Sequence, residues 1–288
     1  MKMQISVVIP TYKNRGTLPG LLRSFEEQTC SRRLFEVIVV FDELNSKYFD
    51  SIDKQKFKYS IRLYRQKHGG RARARNLGIR KAKGKIIVFV DDDCQVDKDF
   101  IKEHLKSHKK QGIVVLGSRF IRNDKTLELD NHCKMMERTL SKGNNFSSPW
   151  LYFATGNVSL ERRKLIKAGF FDENFKGWGY EDTELGYRLF LQGLRYVYNK
   201  KAKVIMFPRV RNLKNIKVQA EKNLRYFIGK YPQEAGIKYF PQLISGRYSV
   251  KEYDKMAKGE TIKPKSRYHG SYLFKMAMEE LRKNEIIK

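Results

Sequence analysis

Hydrophobic residues in this chain come in short blocks whose period changes from block to block. Ile5-Ser6-Val7-Val8-Ile9, Phe35-Glu36-Val37-Ile38-Val39-Val40-Phe41 and Ile86-Ile87-Val88-Phe89-Val90 are nearly continuous β-branched and aromatic runs, as expected of strands covered on both faces. Ile61 to Tyr64 is a shorter run of the same kind. Between these runs the spacing turns helical. Leu18, Leu21, Leu22 and Phe25 share one helical face, and a second helix opens after His68-Gly69-Gly70 and runs to about Lys83. Strand, loop and helix repeat without a hairpin signal. That order predicts an α/β fold with an open, mostly parallel sheet and helices on both faces. Ligands of such sheets bind beyond the carboxyl ends of the strands, so Pro10-Thr11-Tyr12, Asp42, Gly69-Gly70 and Asp91-Asp92-Asp93 are expected along one edge.

Beyond the aspartates, residues 100–110 read as a helix and residues 112–116 as a strand. Periodicity fails from about 119 to 150, which predicts a long irregular connection. A short strand over residues 153–160 carries Gly156-Asn157 at its turn. Leu185, Leu189 and Leu194 then form an apolar stripe that makes Glu181-Asp182 the first turn of a helix. Further helices are expected over residues 218–231 and 271–288, where aromatic residues are interleaved with lysines.

Charge changes the picture of partners. Sixty Lys and Arg face 31 acidic residues, a formal charge of +29 in 288 residues, which favours encounters with nucleic acid, anionic lipid or acidic glycans. The C-terminal region is where a membrane face, an anionic polymer or a partner subunit would be met, or it covers the sheet edge. Cys30, Cys94 and Cys133 have no Cys-x-x-Cys spacing, so neither a disulfide framework nor a thiolate zinc site is indicated and a reducing cytosol fits. No segment reaches the ~20 apolar residues that cross a bilayer, and the run at Ile5 is too short for a signal-peptide core. Attachment to a membrane would be peripheral.

Three stretches carry candidate chemistry. Three adjacent carboxylates repel one another, so Asp91-Asp92-Asp93 either faces a cation or ligand donors, or forms a solvated acidic turn. Arg71 and Arg75 open a helix whose dipole favours anions there, which suits a bound diphosphate or marks an exposed basic face. Glu181-Asp182 stands at a helix start just after Gly177-Trp178-Gly179. That position lowers a carboxylate pKa and keeps it ionised, as a base or metal ligand requires, or the pair caps its helix.

Taken in order, Ser6 to Tyr12, Glu36 to Val40 with Asp42, Gly70-x-Ala-x-Ala-Arg-Asn76, Val90 to Asp93, Gly156-Asn157 and Trp178-Gly-Tyr-Glu-Asp182 resemble the motifs of family 2 glycosyltransferases, which have the Rossmann-like GT-A fold. Residues 170–189 are especially similar to the corresponding segment of bacterial chondroitin-polymerase-type and related galactosyl and N-acetylhexosaminyl transferases. The resemblance implies a transferase domain over residues 1–210, with a nucleotide-binding half over 1–117, an acceptor-binding half over 118–210 and a basic, mainly helical extension over 211–288. It also implies an inverting enzyme moving a hexose or N-acetylhexosamine from a UDP-sugar to a glycan or lipid-linked hydroxyl, working in the cytoplasm, at the inner membrane face if peripheral. By that resemblance Pro10, Thr11, Tyr12 and Asp42 contact the nucleoside, and Asp91 and Asp92 lie at the donor beside Arg71 and Arg75. Asp93, with Asp91, holds Mn2+ or Mg2+; Asp182 is the base; Gly156, Asn157, Trp178 and Glu181 line the acceptor pocket. Two departures stand out. Phe41-Asp42-Glu43-Leu44 replaces the usual acidic pair after the second strand, and Lys203 to Pro208 lacks the metal-binding His of many relatives, so fewer protein ligands hold the metal, His269 or another residue substitutes, or metal dependence is weak. The rival readings are a sugar nucleotidyltransferase, whose glycine-rich basic loop is missing after the first strand, and a non-catalytic binder of nucleic acid or anionic glycan. Six ordered motifs make nucleic acid the weaker partner.

Overall fold

The computed structural model describes residues 3–13, 16–123, 126–140, 146–207, 213–244 and 248–261. Nine strands form one sheet: β1 (Ile5–Thr11), β2 (Phe35–Phe41), β3 (Ser60–Arg65), β4 (Ile86–Val90), β5 (Cys94–Val96), β6 (Ile113–Arg122), β7 (Leu127–Leu129), β8 (Asn157–Glu161) and β9 (Arg195–Met206). Their order is β3-β2-β1-β4-β8-β6-β9-β5, with β7 paired to β6. Each nearly continuous apolar run became a central strand, because neighbours on both edges take its hydrogen bonds while helices cover both faces.

Successive side chains of a strand point to opposite faces, and the core divides accordingly. Val8, Ile38, Val40, Ile87 and Phe89 pack on one side against α3 (Arg71–Lys81), α5 (Asn131–Leu140) and α7 (Glu181–Leu191). Val7, Ile9, Val37, Val39 and Val88 pack on the other against α1 (Leu18–Ser24), α2 (Lys47–Asp53) and α4 (Phe100–Ser107). The short α6 (Arg162–Lys167) follows β8.

Parallel pairing runs from β3 through β2 and β1 to β4, then gives way to antiparallel pairing at β8. The cause lies in the segment expected to be irregular. β6 continues to Arg122, β7 turns back on it, and α5 follows, all at the carboxyl edge. The chain thus never recrosses the sheet before β8, which starts at that edge and runs the opposite way. Pairing of Asn157 with Val90 sets Gly156 beside the aspartates.

Past residue 213, α8 (Leu213–Lys230), α9 (Ala235–Lys238), α10 (Phe240–Ile244) and α11 (Val250–Ala257) build a third cluster on α7. Trp150, Tyr187, Phe227, Phe240 and Tyr253 are its buried centre. The expected helix over 218–231 is α8, whereas the one over 271–288 lies outside the described residues. Ser249 and Glu252 close a capping box at the start of α11.

Trp150 is 1% exposed and touches Tyr187, Phe227 and Phe240. Trp150→Ala is expected to lower unfolding stability by about 3–5 kcal/mol, read by urea denaturation, because the C-terminal helices lose their shared anchor.

Candidate active site

The four strand-end signals do converge. Asp42, just past β2, accepts hydrogen bonds from Gly69 N at 2.9 Å, Gly70 N at 2.9 Å and Gln66 Nε2 at 2.7 Å, and faces His68 Nδ1 at 2.8 Å. Gly70, with φ of 90°, turns directly into α3, so this carboxylate fixes where that helix begins. Thr11 Oγ1 donates to Asp92 Oδ2 at 2.6 Å, and Thr17 Oγ1 donates to the Asp92 carbonyl at 2.8 Å. The Tyr12 ring stacks on His68 with centroids 4.2 Å apart.

Arg75, on the inner face of α3, is 2% exposed and lies between Asp91 Oδ1 at 3.2 Å and Glu181 Oε1 at 3.1 Å. Burial alone would lower its pKa, but Asp91, Glu181 and Asp182 together raise it, so the guanidinium stays charged. It joins the end of β4 to the start of α7. Asp182 follows Glu181 and is half-buried. Its pKa is pushed up to about 6, first by burial and then by the Glu181 carboxylate, with Arg75 and the Thr183 amide opposing. The helix-start position was expected to depress this pKa. Burial and a neighbouring anion win over the dipole.

The loop before α7 is held from behind. Asn223 Nδ2 of α8 lies 3.0 Å from the Lys176 carbonyl, 3.2 Å from that of Trp178 and 3.0 Å from that of Gly179. Gln219 Oε1 accepts from Trp178 N at 2.9 Å. Gly177, Gly179 and Tyr180 all have positive φ, of 73°, 102° and 68°. Tyr180 is the costly one, because only glycine takes that region freely, and its ring packs against Phe240. Lower on the same helices, Lys230 bonds Asp172 and Glu184 at 2.7 Å each, tying α8 to α7.

Several expected contacts are corrected by this geometry. Arg75 serves as the buried counter-ion of Asp91 and Glu181 and not as an exposed cation at the helix start; Arg71, 41% exposed at the start of α3, also reaches Glu181, its Nε 3.9 Å from Oε1. Glu181 is spent on Arg75 and buried, so it lines no open pocket. Asn157 is buried too, donating to the carbonyls of Ser118 and Ala202 and facing His104 Nε2, because β8, β6 and β9 meet there. Asp92 is turned inward onto Thr11. The Asp42 carboxylate already has four partners, about its full acceptor capacity. Pro10, Gly156, Trp178 and Asp91 keep positions on the expected edge, and Asp93, next to them at the end of β4, is buried. Asp91 is the most open of the three aspartates, with its side chain 36% exposed.

Arg119 was not anticipated. It sits on β6 in an ion pair with Asp130 at 2.7 Å, and a methyl group on Gly156 would come within 3.5 Å of Asp91 Oδ2 and 3.4 Å of Arg119 Cδ. In this segment β6 leaves β8 and pairs with β9, Arg119 lying opposite Val204, after a register shift between Gly117 and Ser118. Asp91 and Asp93 form a hard oxygen pair of the kind Mg2+ or Mn2+ takes with phosphate and water. Among the described residues no group of three or more His, Cys, Asp or Glu is placed to hold a metal, and His269 lies outside them.

A model of glycosyl transferase family 2 matches residues 6–170, and one of the N-terminal domain of galactosyltransferase matches residues 137–213. The uncharacterized glycosyltransferase YfnE of Bacillus subtilis is 26% identical over 80% of this chain and 71% of its own length. Chondroitin synthase of Pasteurella multocida is 29% identical over 66% of this chain, which spans only 23% of that protein. The crystal structure of GalNAc-T7 with UDP, GalNAc and Mn2+ superposes with a TM-score of 0.67 at 18% identity, covering 99% of this chain and 58% of the other.

Arg75→Met would leave Glu181 buried without its cation. A loss of about 3–5 kcal/mol in unfolding stability is expected by chemical denaturation, while Arg71→Met, at an exposed position, costs about 1 kcal/mol or less.

Proposed function

The chain belongs to glycosyl transferase family 2, and from that premise we propose an inverting transfer of a hexose or N-acetylhexosamine from a UDP-sugar to the hydroxyl of a glycan or lipid-linked glycan. The observation that carries this reading is Asp182: a partly open carboxylate, raised to about 6, in the first turn of α7 next to the Glu181 that pairs with Arg75.

The donor diphosphate lies at the start of α3, where unpaired backbone amides, the helix dipole and Arg71 favour an anion. Asp91 and Asp93 would hold the divalent cation, which when bound offsets charge on the departing nucleoside diphosphate. With no His in the Lys203 to Pro208 stretch, oxygens of the diphosphate and water would complete its shell. The Tyr12 and His68 rings offer the nucleobase a flat partner, while Asp42 acts by holding the Gly69-Gly70 turn.

On the acceptor side Trp178 presents an apolar ring suited to the face of a sugar. Asp182 takes the proton from the acceptor oxygen as that oxygen attacks the anomeric carbon opposite the diphosphate. A base with pKa near 6 is ionised at neutral pH and still accepts a proton in the transition state. Burial, which raises the pKa, also strips water that would dampen the carboxylate.

Because the ionised form is the base, kcat/KM should hold above pH 6 and fall as pH drops through about 6. Asp182→Asn should lose about 100- to 10,000-fold in turnover with UDP binding unchanged. Asp93→Ala should instead abolish the gain in melting temperature that UDP gives when Mn2+ is added. Turnover that survives both substitutions would refute the assignment.

A further inference from the structure

The strand registers align Ile5, Phe35, Ile86, Glu161, Ile113 and Arg195 in one row, the amino edge of the parallel strands and the edge opposite Asp91. The residues bounding that row are cationic and exposed. Lys58 precedes β3, Lys83 and Lys85 precede β4, Lys110 precedes β6, Arg163 follows β8 and Arg195 opens β9. Of these only Arg163 has an ion pair among the described residues, with Glu161 at 2.6 Å. Two further acids lie on this edge: Glu36 is fully buried and satisfied by Arg62, Ser6 and the Lys83 amide, and Glu26 accepts from the Lys58 amide at 3.1 Å. Acids crowd the carboxyl edge instead, at Asp42, Asp91, Asp92, Asp93 and Asp182. Charge is therefore polarised across the sheet.

Exposed apolar side chains accompany the cations. Ile166, three residues beyond Arg163, is 45% exposed, and Leu191, four residues before Arg195, is 52% exposed. A polyanion such as nucleic acid would use the cations and leave these two idle. A bilayer surface uses both, with cations at the headgroups and apolar side chains at the acyl boundary. No helix among the described residues is long and apolar enough to cross a membrane.

We propose that the amino edge of the sheet, centred on Lys83, Lys85, Lys110, Arg163 and Ile166, docks the protein on an anionic lipid surface. Docked this way, the carboxyl-edge site opens away from the lipid by the length of the strands, roughly 20 Å at ~3.3 Å per residue. This inference is independent of the transferase reading, because it is tested by binding alone.

The test is co-sedimentation of the full chain with vesicles of phosphatidylcholine, with and without one-third phosphatidylglycerol, at low and physiological salt. Wild type should sediment with the anionic vesicles only, less so at higher salt. Lys83→Glu/Lys85→Glu/Lys110→Glu should reduce partitioning at least about tenfold, and Ile166→Ser severalfold. Both variants should keep the wild-type melting temperature and the UDP-induced shift. Wild type remaining in the supernatant, or a triple variant binding like wild type, overturns the proposal. A duplex oligonucleotide bound as tightly as the vesicles, with no effect of Ile166→Ser, assigns the edge to polyanions and also overturns it.

Discussion

The arrangement depends on one buried cation. Arg75 stands between the end of β4 and the start of α7, and without it Asp91, Glu181 and Asp182 would be three carboxylates in one poorly solvated place. Their mutual repulsion would open the site or protonate one of them. With the guanidinium present, Asp91 and Glu181 share its charge, and the pKa of Asp182 is raised first by burial and then by Glu181, with Arg75 opposing. The same contact that joins the end of β4 to the start of α7 thus also tempers the Asp182 pKa.

That cation can be buried because the surroundings are rigid on each side. Asp42 fixes the turn from which α3 starts, so Arg75 enters at a set depth. On the other side α8 grips the Gly177-Trp178-Gly179 loop through Gln219 and Asn223, and Lys230 braces Glu184 on α7. The strained Tyr180 backbone persists because these bonds and the Phe240 contact over-determine it. The C-terminal helices are therefore part of the machinery that positions Asp182.

Much of this was legible in the sequence, and the remainder fails for identifiable reasons. β2 occupies the predicted Phe35 to Phe41, and α7 begins at Glu181 as the Leu185 and Leu189 stripe requires. Periodicity reports burial, and these residues are buried by regular elements. It is silent on which partner a polar residue takes across the fold. Arg75 and Arg71 share a helix face in sequence, yet Arg75 is buried between two carboxylates while Arg71, exposed to solvent, reaches only Glu181, at 3.9 Å. The resemblance implied Asn157 as an acceptor contact, while the junction of three strands claims its amide. β7 escaped notice since three residues carry too little alternation to read.

The most direct measurement is the acidic limb of the kcat/KM profile for sugar transfer in Glu181→Gln beside wild type. Removing that anion, and freeing Arg75 to act more fully on Asp182, should move the limb from about 6 toward lower pH. A limb that stays in place would mean that the titrating base is not Asp182 in this charge cluster, and would contradict the account.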